Sequence, residues 1–281
     1  MSEGHYVLVD GARTHYLEAG LEHKGKRPSV LLLHSAEFGG SAETSWFNNI
    51  PALATRYHVI APDHLGFGRT DKLFDFVGMF NKRVTHIRRF VEIMCVESVH
   101  VMGSSMSGGL CLTVAARTPP DWPIASVVCC SGGGDAPDNE ARKVLNTYDG
   151  TKEHMRRIVD TMFVDKTWVN DDAFIEKKWK MSQEPGAWEA TAAARFKAPF
   201  PRPASARAER DNLDYTKIAA PVLVFAGRQD SLRNPGYTDG FVPKIPNTKL
   251  HVFENAGHMG NIECADVFNR VTLDFLKGLD G

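Results

Sequence analysis

The sequence has no surplus of charge of one sign: 33 Lys and Arg stand against 34 Asp and Glu in 281 residues, a formal net charge of −1. So balanced a chain has no broad electrostatic field with which to gather nucleic acid or anionic lipid, and a small-molecule substrate is expected instead. No stretch approaches the roughly 18 apolar residues that span a bilayer, and the opening MSEGHYVLVDGARTHYLEAG has no basic segment followed by an apolar one. A cytoplasmic protein without membrane contact is the expectation. The cysteines, Cys95, Cys111, Cys129, Cys130 and Cys264, are odd in number and lack metal-ligand spacing, so they are read as buried thiols. No GxGxxG opens a helix, no P-loop occurs and no histidine pair has ligand spacing, so no metal, nucleotide or flavin cofactor is implied. Repeats and low-complexity tracts are absent, and nothing marks a subunit interface, so a homodimer is compatible with base rates for soluble enzymes but no oligomeric state is assigned.

What is present is ample apolar material, 43% of residues, arranged in short runs separated by helical patterns. The segments YVLVD and THYLEAG read as an antiparallel pair turned at Gly11. SVLLLH (29–34), HVIAPD (58–63), SVHVMG (98–103), IASVVCC (124–130), PVLVFAG (221–227) and KLHVFEN (249–255) read as strands buried on both faces. Helical patterns lie between them at 44–55, 80–96, 106–117, 235–243 and 262–278, so the expected class is a three-layer α/β fold with a mainly parallel sheet. From about 135 to 215 no buried strand is found, and helical patterns and the turn-rich KAPFPRPASARAE fill the gap. The expected organisation is therefore a core of residues 1–134 and 216–281 with a helical cap, 135–215, inserted into it. The aromatics of that insertion, Phe163, Trp168, Phe174, Trp179, Trp188 and Phe196, are read mostly as the cap's own core, with Trp188 facing a substrate pocket.

Chemistry concentrates in VHVMGSSMSGGL, residues 99–110, where three serines follow an apolar run. A strand that turns abruptly into a helix needs small residues beside the strained turning residue. Ser105, flanked by Gly103 and Ser107, meets that demand where the apolar run ends, whereas choosing Ser107 would carry the strand two residues further through polar serines. Ser107 stands where a glycine is usual, and its side chain is expected to fit at some strain. A serine hydroxyl becomes nucleophilic when a histidine takes its proton and an acid holds that histidine in the right tautomer. Asp230 in VLVFAGRQDSL and His258 in HVFENAGHMGN each follow a buried strand, at the sheet edge where ligands bind in doubly wound folds. Asp135, after CCSGGG, is the lesser acid candidate. The backbone donors expected for an oxyanion are Met106 and Ala36, the latter in HSAEFGG, with His34 shaping that loop. Glu37 beside an oxyanion site would oppose charge development, so it is expected to face solvent or meet a cation. Asp63, Gly66 and Gly68 of DHLGFGRT read as scaffold, and His64 stays unassigned.

Together the segments LLLHSAEFGG, APDHLGFGRT, GSSMSGG, GRQD and AGHMG resemble the α/β-hydrolase superfamily over nearly the whole chain. Within it TSWFNNIP, FVDKTWV and FNRVTLDFL look like the meta-cleavage-product hydrolases, which cut carbon–carbon bonds in ring-fission products of aromatic degradation. Those enzymes typically carry Asn before the nucleophile, an Arg in the cap and Trp after the catalytic His. Here Ser104, Gln183 or its neighbours, and Met259 stand instead, and Arg195 is the candidate carboxylate clamp. The resemblance thus implies substrate-binding roles for Ser104, Gln183, Trp188, Arg195 and Met259. It also implies a serine hydrolase of a small carbonyl compound, possible cases being a diketone-like ring-fission product cut at a carbon–carbon bond, or an ester or lactone. The reading from another class is a non-hydrolytic ligand binder or cofactor-free oxygenase on the same fold.

Overall fold

The computed structural model describes residues 4–76, 79–195 and 212–280. In them one eight-stranded sheet runs in the order β1-β2-β4-β3-β5-β6-β7-β8. The strands are β1 (Gly4–Val9), β2 (Ala12–Ala19), β3 (Ser29–Leu33), β4 (Val59–Pro62), β5 (Val99–Ser104), β6 (Ile124–Cys130), β7 (Val222–Gly227) and β8 (Thr248–Phe253). β1 and β2 form the expected hairpin, with Gly11 at φ 84° in its turn, and β2 pairs antiparallel with β4. Every later pairing is parallel.

The unbroken apolar runs follow from burial on both faces, and period-2 alternation divides them between two cores. Leu31, Leu33, Val99, Val101, Val127, Val222 and Val224 pack under α3 (Met79–Ile93) and α4 (Met106–Ala115). Val30, Leu32, Val59, Met102, Val128, Leu223 and Phe225 pack on the opposite face, against Trp46 of α1 (Ala42–Trp46), Ile50 and Leu53 of α2 (Ile50–Leu53), and Phe268 of a C-terminal helix. Between β6 and β7 come only helices among the described residues: α5 (Glu140–Asn146), α6 (Lys152–Met162), α7 (Lys166–Asn170), α8 (Asp172–Ser182) and α9 (Ala187–Ala193). After β8 follow α10 (Gly260–Glu263) and α11 (Ala265–Lys277). The helical insertion has its own core, in which Met155, Ile158, Val159, Phe163, Phe174 and Ile175 meet Phe38, Leu232 and Met259 of the sheet-edge loops and Ile262 of α10.

Four expectations need correcting. The run at 249–255, expected to be buried on both faces, forms the edge strand β8, in which Lys249 and Leu250 are exposed and only Phe253 is fully buried, because no described strand covers its outer side. The pattern at 235–243 forms two 3-10 turns, Tyr237–Gly240 and Val242–Lys244, because Gly236, Gly240 and Pro243 leave too few good helix formers for an α-helix. The pattern at 44–55 splits into α1 and α2, with Pro51 opening the second piece. Cys111, Cys129 and Cys130 are buried, but Cys95 is exposed at positive φ just after α3, and Cys264 is half-buried between α10 and α11. Phe196 and the KAPFPRPASARAE stretch lie outside the described residues.

The ends of β7 and β8 lie so close that only glycine fits. A Cβ on Gly227, the last residue of β7, would sit 2.0 Å from the carbonyl oxygen of Gly257 and 2.6 Å from that of Ala256. Gly227→Ala must therefore push the two loops apart. We expect it to destabilise the fold by about 3 kcal/mol, read from urea unfolding; unchanged stability would contradict this close approach.

Candidate active site

The turn from β5 into α4 puts Ser105 at φ 56°, ψ −114°, a strained conformation for any residue with a Cβ. The turn is possible because the chain beside it is bare. A Cβ on Gly103 would lie 2.3 Å from the backbone of Ser107, and one on Gly108 would lie 3.0 Å from the Cα of Gly132 in the loop after β6. Ser105 N–H donates to the carbonyl of Cys130 at 2.7 Å, fixing the turn to the neighbouring strand. The close approach that limits size thus falls at Gly103, Gly108 and Gly132. Ser107, in the first turn of α4, is not among the residues at positive φ, so its backbone is not strained as that of Ser105 is.

Ser105 Oγ lies 2.7 Å from His258 Nε2, and His258 Nδ1 lies 2.7 Å from Asp230 Oδ2. The geometry assigns the imidazole proton to Nδ1, donated to the carboxylate, which leaves Nε2 to accept from the serine hydroxyl. Burial pushes Asp230 toward the neutral form, but the His258 imidazole and the Leu232 N–H on Oδ1 outweigh it and hold the carboxyl below its ordinary range. His258 is 1% exposed. Its own N–H donates to the carbonyl of Met162 at the end of α6, so the insertion grips the histidine loop directly. Asp135, the other acid considered, is exposed and offers only its carbonyl, to Arg233.

A second grip comes from Glu263, which the sequence reading missed. One carboxylate oxygen accepts from the N–H of Gly257 at 2.8 Å, and the other from the N–H groups of Val164 and Asp165 at 2.6 and 3.0 Å. It therefore staples the histidine loop to the turn between α6 and α7. No sequence signal marks it, because its partners are backbone groups, two of them about a hundred positions away.

The loop after β3 carries His34, Ser35, Ala36 and Glu37. Glu37 meets a cation, as one of its two expected alternatives required: its Oε1 is 2.7 Å from Lys178 Nζ of α8, and both side chains are 1% exposed. Burial alone would raise the Glu37 carboxyl, yet the ammonium lowers it to about 2. Ala36 itself is half-buried, and its carbonyl accepts from Arg195 Nη2 at 2.7 Å. The Arg195 guanidinium stacks 4.7 Å over the Phe38 ring. Nearby Arg83 of α3, 7% exposed, reaches the thioether of Met106 at 3.0 Å. Among the described residues neither arginine has a carboxylate within ion-pairing distance; burial, together with the charge of Arg195, lowers Arg83 to about 10, and burial lowers Arg195 likewise.

The remaining sequence candidates fall in different places. Ser104 is fully buried at the end of β5, and its hydroxyl has no partner among the described residues. Met259 is fully buried beside His258, within the core shared with the insertion. Trp188 is 41% exposed and stacks with Phe38 at 6.2 Å between ring centres. Gln183 is exposed, and its side-chain amide donates to the Gly150 carbonyl and the Ser182 hydroxyl inside the insertion. Met106 opens α4, so its N–H belongs to the first turn that a helix leaves without an internal acceptor.

Comparison with known proteins shows the family. Residues 28–265 match the family model described as alpha/beta hydrolase fold. The 2-hydroxymuconate semialdehyde hydrolase of a Pseudomonas species is 29% identical over 99% of this chain and 95% of its own length. The 2-hydroxy-6-oxo-6-(2'-aminophenyl)hexa-2,4-dienoic acid hydrolase of Metapseudomonas resinovorans is 30% identical, covering 97% of this chain and 90% of its own. Among solved structures, a meta-cleavage product hydrolase from Pseudomonas fluorescens superimposes with a TM-score of 0.84 at 28% identity over 98% of each chain. No described helix is long and apolar enough to cross a membrane.

The Glu37–Lys178 pair sets a pH dependence. Because the folded carboxyl is depressed from the usual 4.5 to about 2, its stabilisation is complete above the ordinary range and is lost as pH falls toward 2. Glu37→Gln, leaving Lys178 buried and unpaired, should cost about 3 kcal/mol at neutral pH. Urea unfolding should show this penalty shrinking toward pH 3 or so, and a penalty independent of pH would contradict the pairing.

Proposed function

The chain belongs to the α/β hydrolase fold family, and we propose that it is a serine hydrolase cutting a carbon–carbon bond in a carboxylate-bearing, diketone-like ring-fission product of aromatic degradation. The observation that carries this reading is the unbroken hydrogen-bond chain from Ser105 through His258 to Asp230, at the sheet edge under the helical insertion. His258 Nε2 takes the Ser105 proton as the oxygen attacks a substrate carbonyl, and Asp230 stabilises the imidazolium without itself being protonated. The N–H groups of Met106 and Ala36 receive the oxyanion. Collapse of the tetrahedral intermediate breaks the carbon–carbon bond, and the departing carbon takes its proton from His258. Water, deprotonated in turn by His258, then frees the acyl group from Ser105 as a carboxylic acid.

Support for an anionic substrate comes from Arg195 and Arg83. The buried Arg83 and the half-buried Arg195, whose guanidinium disfavours a second charge on Arg83, have no described carboxylate within ion-pairing distance and are poised to be satisfied by one. In this reading Arg195 clamps the carboxylate, while Ser104, Met259 and Trp188 line the substrate's path. Gln183 keeps a place only at the outer rim, given its exposure. The full-length similarity to hydrolases named for dienoates and muconate semialdehyde favours the carbon–carbon case over simple esters, which would use the same nucleophile and donors. A purely binding role is disfavoured, because binding alone does not require all three triad groups in hydrogen-bonded register.

Turnover of a chromogenic ring-fission dienoate, measured beside nitrophenyl esters, tests the proposal. Ser105→Ala should abolish both activities with the fold intact, His258→Ala should lower kcat by about 10³ or more, and Ser107→Ala should keep measurable turnover. Hydrolysis of esters but not of the dienoate would exclude the carbon–carbon reading; activity surviving in Ser105→Ala would exclude the nucleophile.

A further inference from the structure

Behind the nucleophile lies a closed hydrogen-bond network that the triad does not use. Ser107 Oγ–H donates to the carbonyl of His34 at 2.5 Å, and the same oxygen lies 2.8 Å from His64 Nε2. The backbone N–H of His64 donates to His34 Nε2 at 3.0 Å, and His34 Nδ1 lies 2.6 Å from the carbonyl of Ser35. All four residues are 0% exposed. The partners fix both tautomers: a carbonyl can only accept, so His34 carries its proton on Nδ1, and the committed Ser107 hydroxyl requires that His64 donate from Nε2. A second proton on His34 would set Nε2–H against the N–H of His64. Burial, the largest influence on both rings, holds them below their ordinary range and so in the neutral form the network needs.

The consequence falls on the loop that carries Ala36. The Ser35 carbonyl and the Ala36 N–H are opposite ends of one planar trans peptide, so fixing the first aims the second. The preceding carbonyl, that of His34, is held by Ser107, which sits one residue after Met106 on the rigid first turn of α4. The following carbonyl, that of Ala36, is held by Arg195. The two amides thus belong to segments bolted together through a side chain that stands where a glycine is usual. Ser107 is not a reserve nucleophile, since its proton is committed to a carbonyl and its histidine presents N–H rather than a lone pair.

We infer that Ser107, backed by His64, is a positioning residue that sets the distance and angle between the Ala36 and Met106 N–H groups. This rests on reading those two amides as the oxyanion donors. Donors aimed at developing charge act through their placement, so loosening the link should raise the barrier to reaction while leaving ground-state binding alone.

Phenylboronic acid is the probe, because its adduct on Ser105 is tetrahedral and places an oxygen where the oxyanion forms. Its inhibition constant is measured with kcat and KM for nitrophenyl acetate in the intact protein and in Ser107→Ala, His64→Leu, His64→Gln and the Ser107→Ala/His64→Leu double variant. Each of the first two should lower kcat by about 10- to 100-fold with KM changing by less than about three-fold, and boronate affinity should fall by the same factor as kcat. His64→Gln, which keeps a donor for Ser107, should lose less than His64→Leu. The double variant should lose no more than the worse single one, since both changes break one network. Unchanged boronate affinity in Ser107→Ala and His64→Leu, with only thermal stability lowered, would overturn the inference, as would losses that multiply in the double variant. Failure of the unmodified protein to bind the boronate would instead overturn the hydrolase reading itself, and the inference with it.

Discussion

The structure depends on holding one serine in a backbone conformation that its own side chain disfavours. Ser105 sits at φ 56° because β5 must end, turn and enter α4 within a residue. The strain persists because the surroundings over-determine it. Gly103 lies against Ser107, Gly108 against Gly132, and the Ser105 amide is tied to β6 through the carbonyl of Cys130. The hydroxyl is thereby lifted to the carboxyl edge of the sheet. The loops after β7 and β8 bring Asp230 and His258 to the same edge, and they meet only because Gly227 leaves room for the Gly257 carbonyl.

The helical insertion is a working part of that arrangement. Its described residues reach the histidine loop and the loop after β3 through contacts of different chemistry: the Met162 carbonyl on His258 N–H, the Glu263 carboxylate on the Val164 and Asp165 amides, Lys178 on Glu37, and Arg195 on the Ala36 carbonyl. Two of these engage the histidine loop and two the loop with the candidate oxyanion donor. An ion pair as deeply buried as Glu37–Lys178 adds little net stability over an apolar pair of the same shape, but it tolerates few alternative geometries. The carboxylate that threatened to oppose an oxyanion is thereby neutralised within the fold, while neither Arg83 nor Arg195 has a described carboxylate within ion-pairing distance.

Much of this was legible in the sequence wherever a signal is local or periodic. The apolar runs identified the strands, because burial on both faces of the inner strands favours Val, Ile and Leu there, and the small residues around Ser105 located the turn. Asp230 and His258 followed from their places just beyond two such runs. Short helices were less legible: the 235–243 pattern had the right periodicity, but its glycines and proline decided the outcome in favour of 3-10 turns. The least legible features were long-range polar partnerships. Glu263 serves backbone amides about a hundred residues away, Glu37 finds Lys178 across 141 positions, and His64 finds Ser107 across 43, none with a pattern that spacing alone reveals. Gln183, placed by rough correspondence with the family, has described side-chain hydrogen bonds within the insertion.

The central claim is that Ser105 alone carries an activated hydroxyl, made nucleophilic by His258. Reaction with a fluorophosphonate, followed by peptide mass mapping of the adduct, tests it most directly. The account predicts a single covalent label on Ser105, formed far more slowly when His258 is replaced by alanine. A label on Ser107, or a correctly folded protein that takes up no label at all, would contradict it.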